Sequence, residues 1–216
     1  WILHYKIFIM SKYPLFLSVV CVLQNKENEC KQSITNLSKV ITKLTDDYEI
    51  IVVDNSSDDE TIKILEDLTR GNNSIKNLQI FSLTNKVDKN TAIWAGVENS
   101  LGDYVITVDP EIDDVNFIPE ILEKNTHNTD ILFINNNYEP KLDIFNKLLI
   151  LLNKFFLTFI PKTKINYKGS EFRMISRKVI NFMFNYPKPY IVFSNLASIT
   201  GFNKLNVEYY HKFKVA

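Results

Sequence analysis

The feature that narrows this chain most is an alternation of short apolar runs with helix-compatible stretches. Phe16 to Leu23 reads FLSVVCVL, an apolar run of strand length, and a polar, helix-compatible stretch follows from Glu29 to Leu44. Glu49 to Val53 (EIIVV) is a second buried strand, and Asp59 to Leu68 then carries Ile62, Leu65 and Leu68 at helical spacing. Leu78 to Leu83 is a third strand. Thr91 to Leu101 is a third helix, with Gly102 placed as its C-terminal stop. Tyr104 to Val108 is a fourth strand and Asp130 to Ile134 a fifth. Apolar strands separated by helices predict an α/β fold with a mainly parallel sheet, since a sheet covered on both faces calls for uniformly apolar strands. A length of 216 residues suits one domain, or one domain with an appendage.

In such sheets ligands bind beyond the carboxyl ends of the strands. Two strands run straight into an acid, Val53 into Asp54 and Val108 into Asp109, and the first strand ends before Gln24, Asn25 and Glu27. Acids after strands also serve as turn formers and helix caps. Their repetition favours a binding edge. Glycine then narrows the ligand's holder. The chain has only 5 glycines. The closest pair, Gly96 and Gly102, is too widely spaced for a GxGxxG loop, and no GxxxxGK[ST] loop can be written. A nucleotide bound here is held by something other than a glycine cradle.

Composition removes other classes. Lys plus Arg and Asp plus Glu are 25 each, giving net charge +0, which argues against a general nucleic-acid binder. The 2 cysteines cannot build a disulfide scaffold, so a reducing cytosol is the simpler setting. The 3 histidines are scattered without zinc-ligand spacing. Trp1 to Met10 is apolar but short, lacks a signal-peptide cleavage pattern, and is given no function.

The densest acidic segment is Asp109-Pro110-Glu111-Ile112-Asp113-Asp114. In extended backbone, alternate residues project to one side, so Asp109, Glu111 and Asp113 are expected to converge on one point. Pro110 biases Asp109 toward extended conformations. Carboxylates crowded together repel unless a cation lies between them, and a hard ion such as Mg²⁺ or Mn²⁺ takes oxygen ligands and keeps positions open for phosphates. The bland alternative is a solvated acidic turn leading into a helix near Phe117.

Four segments in this order resemble glycosyltransferase family 2 with the GT-A fold, most of all the polyprenyl-phosphate sugar synthases. LSVVCVLQNKEN (from Leu17) is similar to the opening strand and turn. EIIVVDNSSDDET (from Glu49) resembles the VVDDGSxDxT segment. AIWAGVENSLGDYVITVDPEID (from Ala92) resembles the helix, GD turn and DxD-bearing strand, and GSEFRMISRKVI (from Gly169) the later FR…SR segment. The resemblance covers roughly Leu17 to Tyr209. It implies a Rossmann-like, mostly parallel sheet with flanking helices and a C-terminal acceptor-side helical segment. Residues 1–15 would form an N-terminal extension, 16–135 the nucleotide-sugar-binding half and 136–216 the acceptor-side segment. The chain departs from the pattern at Val22, Gln24 and Lys26, where the family has Pro, Tyr and Glu, at Ser56 and Asp88, where it has Gly, and at Glu111, where it has Asp.

What the resemblance implies about the site follows residue by residue. Asn25, Glu27, Asp54 and Asp109 would bind the nucleotide, and a carboxylate at a strand end can accept a hydrogen bond from a base N–H or a ribose hydroxyl. Helix capping is the other reading of Asn25 and Asp54. Asp109 and Glu111 would hold the metal and donor diphosphate, and Asp113 would add a ligand. Arg173 would face a phosphate, with Asp114 or Glu171 available as a base if the acceptor is a sugar hydroxyl. Arg177 reads as a surface residue at a helix start.

Leu142 to Ile160 (LDIFNKLLILLNKFFLTFI) is the most hydrophobic stretch, with its polar residues on one helical face. It suits a helix lying in a membrane interface or packing on a core. The combined expectation is an inverting, metal-dependent transfer of sugar from a nucleotide-sugar donor to a polyprenyl phosphate, by a cytoplasmic protein peripheral at the membrane's cytoplasmic face. Transfer to a sugar hydroxyl in cell-surface polysaccharide synthesis, and a degenerate nucleotide-sugar-binding domain without turnover, are the alternatives. No nucleic-acid partner is expected.

Overall fold

The computed structural model describes residues 12–72, 74–125, 129–137 and 171–210. In these, seven strands form one mixed sheet: β1 (Leu17–Leu23), β2 (Tyr48–Asp54), β3 (Leu78–Ser82), β4 (Tyr104–Thr107), β5 (Ile131–Asn136), β6 (Arg173–Ser176) and β7 (Lys204–Tyr209), in the order β3-β2-β1-β4-β6-β5-β7. The helices are α1 (Cys30–Leu44), α2 (Thr61–Asp67), α3 (Lys89–Glu98), α4 (Ile118–Lys124), α5 (Arg177–Met183) and α6 (Pro189–Ser194). β1 lies parallel between β2 and β4, with Leu17 opposite both Tyr48 and Tyr104. β3 extends the parallel set, and β7 pairs parallel with β5. Only β6 is antiparallel to its two neighbours, β4 and β5.

Alternation along β1 divides the core in two. Leu17, Val19, Cys21 and Leu23 pack with Ile34, Leu37 and Ile41 of α1 and with Ile118 and Ile121 of α4 on one face. Val20 joins Trp94 and Val97 of α3, Val179 of α5 and Phe193 of α6 on the other. Each such side chain, fully buried, contributes about 1.5–3 kcal/mol. The apolar stripe of α1 at Cys30, Ile34, Leu37, Ile41 and Leu44 is what the helical period requires to reach that face. Thr45 ends the helix: its N–H donates to the Ile41 carbonyl and its hydroxyl to the Leu15 carbonyl.

Two expectations change, and the sheet draws in strands from beyond residue 136. The boundary at 135/136 divides the chain but not the sheet, because β6 returns between β4 and β5 and β7 adds the edge beyond β5. β6 spans only RMIS, too short for periodicity to announce it. Gly102 does not stop α3, which ends at Glu98 with Asn99 as its C-cap. Its need is space: a Cβ there would lie 2.6 Å from the Ser18 amide nitrogen and 2.7 Å from the Phe16 carbonyl oxygen. Finally, residues 109–113 are not extended. The Asp113 N–H donates to the Asp109 carbonyl at 2.8 Å, closing a turn. The stretch Leu142–Ile160, Gly169 and the residues after Tyr210 lie outside the described residues. Among the described residues no helix is long and apolar enough to cross a membrane.

Candidate active site

From β1 the chain runs outward through β2 to β3, then returns to lay β4 on β1's other side. That reversal is the sheet's switch point, and sheets of this kind bind ligands beyond the carboxyl ends of the strands there, here β1 and β4. The loops after β1 and β2 are knitted together beside it. The Asn25 N–H donates to Ser57 Oγ at 2.9 Å, and Asn25 Oδ1 accepts from the Asp58 N–H at 2.9 Å. The Lys26 N–H donates to Thr61 Oγ1, and the Glu60 N–H to Glu27 Oε2 at 3.2 Å. Asn25 therefore ties two loops and does not cap α1, whose N-cap is Glu29. It sits in left-handed backbone at φ 53, which asparagine tolerates better than most residues.

Asp54, 1% exposed, accepts from the Ser57 N–H and hydroxyl and from the Ser82 hydroxyl, so it fixes the 54–57 turn. Ser56 in that turn has φ 59, and this is the family's glycine position. The turn keeps its left-handed conformation without the residue best suited to it.

The loop after β4 brings in the acids, and two lysines meet them. Lys26 Nζ lies 2.6 Å from Glu111 Oε2, spanning from the β1 loop to the β4 loop. Lys89 Nζ, at the first residue of α3, lies 2.8 Å from Asp109 Oδ2 and 2.5 Å from Glu171 Oε2. Glu171 is carried in by β6, and its carbonyl accepts from Thr107 Oγ1 at 2.5 Å. The hydrogen bond to Glu111, with lesser help from nearby acids and against burial, holds the Lys26 ammonium above the usual lysine value. Burial pulls the Lys89 ammonium down, but Asp109 and Glu171 outweigh it and hold it high as well.

The expected meeting of Asp109, Glu111 and Asp113 on one point is absent among the described residues, because the turn sends the three carboxylates to different partners. Asp109 faces Lys89 and Glu111 faces Lys26. Asp113 accepts from the Asp109 N–H at 2.9 Å and from the Tyr209 hydroxyl at 3.4 Å. Burial pushes Asp113 up to about 6, against the stabilising Asp109 N–H. Asp114 accepts from Asn116 and caps the short 3-10 turn Val115–Phe117. One carboxylate oxygen in the cluster, Glu111 Oε1, is buried with no hydrogen-bond partner among the described residues.

Neither arginine sits as expected. Arg173 is 4% exposed, donates to the Phe193 carbonyl at 3.1 Å and stacks 4.7 Å from the Phe193 ring centroid, so in this conformation its guanidinium does not face an open phosphate site. Burial pulls it down to about 10, opposed by the Glu171 charge. Arg177 is no free surface residue: Nε and Nη2 both donate to the Gly102 carbonyl, at 2.9 and 2.7 Å. Sequence reasoning passed over Lys26 as a partner, Lys89 and Tyr209. Lys89 did leave a signal, since a cation in a helix's first turn opposes the helix dipole and needs compensating acids.

Known proteins share this frame. Residues 18–184 match the family model described as Glycosyl transferase family 2. An uncharacterised glycosyltransferase from Synechocystis is 28% identical over 173 residues, which is 80% of this chain and 54% of that protein. An undecaprenyl-phosphate 4-deoxy-4-formamido-L-arabinose transferase from Pseudomonas fluorescens is 29% identical over 125 residues, 57% of this chain and 36% of that protein. The chain thus spans about half the length, or less, of these two relatives. Among solved structures, a mannosyltransferase from Pyrobaculum calidifontis in complex with GDP-Man and Mn²⁺ superposes with TM-score 0.60 at 13% identity, covering 91% of this chain and 55% of that one. Glucosyl-3-phosphoglycerate synthase from Mycobacterium tuberculosis, in complex with Mn²⁺, UDP and glucosyl-3-phosphoglycerate, gives TM-score 0.54 at 15% identity, covering 94% and 73%. At these identities the likeness is one of fold, and the fold is GT-A. The family match from Ser18 to Phe184 takes in the carboxyl ends of β1, β2 and β4 and the acids and lysines gathered beyond them, and the chain belongs to glycosyl transferase family 2.

Proposed function

We propose that the chain transfers a sugar from a nucleotide-sugar donor to a polyprenyl phosphate, with inversion and with Mg²⁺ or Mn²⁺ as cofactor. The observation that carries this is the gathering of Asp109, Glu111, Glu171, Lys26 and Lys89 at the sheet's switch point. The donor set suits a hard divalent ion: the oxygens of Asp109 and Glu111 are the right chemistry, and Glu111 Oε1 is buried and unclaimed. When bound, the metal neutralises charge developing on the departing diphosphate. The residues already present do the rest. Lys26 and Lys89 bring positive charge to the place where diphosphate oxygens would lie. Asn25, Glu27 and Asp54 fix the two loops that border the nucleotide side, and Asp113 shapes the β4 turn.

A polyprenyl phosphate attacks as an anion and requires no strong base. The relative named as an undecaprenyl-phosphate transferase supports that acceptor class. One observation favours a sugar hydroxyl as the second reading: Glu171 lies beside Asp109 through Lys89, positioned to take a proton, whereas Asp114 is committed as a cap. The two separate in a transfer assay offering UDP- and GDP-sugars with Mn²⁺. Product on undecaprenyl phosphate but not on soluble oligosaccharide supports the first. Product only on oligosaccharide, lost in Glu171→Gln, supports the second. Nucleotide binding without turnover on either would leave the non-catalytic domain. We further propose that the protein works in the cytoplasm at the membrane face, with 142–160 as its contact.

A further inference from the structure

We infer that Lys89 is a built-in counter-cation: it holds the gap between Asp109 and Glu171 when no divalent ion is bound, and its displacement couples metal binding to nucleotide binding. The inference rests on the metal reading given above. Its geometry is direct. One ammonium bridges two carboxylates from different elements, 2.8 Å from Asp109 Oδ2 and 2.5 Å from Glu171 Oε2. Asp109 Oδ1 already accepts from the Glu111 N–H at 3.1 Å, so Oδ2, the oxygen Lys89 contacts, is the one a metal would contest with the lysine.

The placement of Lys89 strengthens the point. Its backbone is fixed at the start of α3 by Asp88, which caps the helix through the Thr91 N–H at 3.1 Å and the Thr91 hydroxyl. The side chain therefore reaches from a fixed anchor. A positive group there is disfavoured by the helix dipole and is held by the two acids. A divalent ion taking Asp109 puts like charge against the ammonium and leaves Lys89 with Glu171 alone. A diphosphate offers the displaced ammonium new anionic partners. Metal alone must break a pair without replacement, whereas metal with nucleotide exchanges one pair for another. By linkage the two ligands must then bind with positive cooperativity, each tightening the other by the same factor.

The test is a titration of the full chain with Mn²⁺, read from the paramagnetic resonance of the free ion, alone and with UDP or GDP. Wild type is expected to bind Mn²⁺ weakly alone and about tenfold tighter with one nucleotide, within the usual range for coupled sites. Lys89→Met should bind Mn²⁺ alone about tenfold tighter than wild type, with the nucleotide adding less than it adds to wild type, because the direct contact between metal and diphosphate remains. Lys89→Arg, which keeps the charge, should stay weak alone. Circular dichroism checks folding, and Lys89→Gln replaces the methionine variant if that one fails to fold. Unchanged or weaker Mn²⁺ binding in a folded, charge-free variant, with coupling intact, overturns the inference while leaving the metal site standing. No Mn²⁺ binding by any variant, with either nucleotide, overturns the metal reading and the inference with it.

Discussion

Carboxylates are enclosed at both ends of the sheet, and the two ends hold them differently. At the amino ends of the strands, Glu49 is 3% exposed, and both its oxygens are taken by neutral donors: the Ser18 hydroxyl at 2.5 Å, the Leu101 N–H at 2.6 Å and the Gln79 amide at 2.8 Å. Behind them, Ser18 Oγ accepts from the Gly102 N–H, and the Gly102 carbonyl takes Arg177. At the carboxyl ends, Asp109, Glu111 and Glu171 are held by two lysine tips whose side chains keep 38% and 40% of their exposure, and one Glu111 oxygen has no hydrogen-bond partner among the described residues. Short neutral donors fixed to the backbone make a joint that cannot exchange. Long flexible cations make pairs that a ligand can take over. Acids whose partners can leave are what the proposed site requires, and the carboxyl end of the sheet offers them.

The largest effect that would break this contrast is on turnover. Asp109→Ala should lower transfer at least about 100-fold, the usual loss when a charge-stabilising group goes, with little change in melting temperature. A kinetic assay beside a thermal melt reads both. Glu49→Ala should do the reverse. It leaves Ser18, Gln79 and the Leu101 N–H without their acceptor and should cost about 2–4 kcal/mol in urea unfolding, with nucleoside diphosphate affinity unchanged.

Smaller effects sharpen the comparison. Asp88→Ala removes the α3 cap and should cost about 1 kcal/mol. The Thr91 hydroxyl, with the Thr91 N–H, holds the Asp88 carboxyl below the ordinary aspartate range. Its folded value is thus depressed, so the cap contribution is present above the unfolded aspartate value and is lost as pH falls through the folded one. The gap between wild type and Asp88→Ala should close on acidification. Ser56→Gly relieves a left-handed serine and should stabilise by no more than about 1 kcal/mol, with nucleotide affinity retained.

The parallel half of the sheet was legible because its strands are uniformly apolar and its helices periodic. The starts of α1 and α3 fell within two residues of the expected positions. β6 was not legible as a strand: RMIS is short, and its arginine is buried only because Phe193 supplies a carbonyl and a ring. That contact is a tertiary fact with no local signature. The acids proposed for the site stand out in the sequence by their place after strands, but their geometry was not legible. An extended 109–113 would have aimed three carboxylates together, and the turn closed by the Asp113 N–H sends them apart. The lysines that answer them lie 63 positions apart in the chain, Lys26 in the loop after β1 and Lys89 at the start of α3, and only the fold brings them together. Gly102 was picked out for the wrong reason: the backbone of Phe16 and Ser18 crowds it, and it ends no helix.

The carboxyl ends of β1 and β4 are proposed to bind a nucleoside diphosphate together with a divalent ion through Asp109. Calorimetric titration of UDP and GDP, each with and without Mn²⁺, into wild type and Asp109→Ala tests it most directly. One nucleotide is expected to bind in a way that depends on Mn²⁺ and is lost in Asp109→Ala. If neither nucleotide binds, or binding survives Asp109→Ala unchanged, the claim is contradicted.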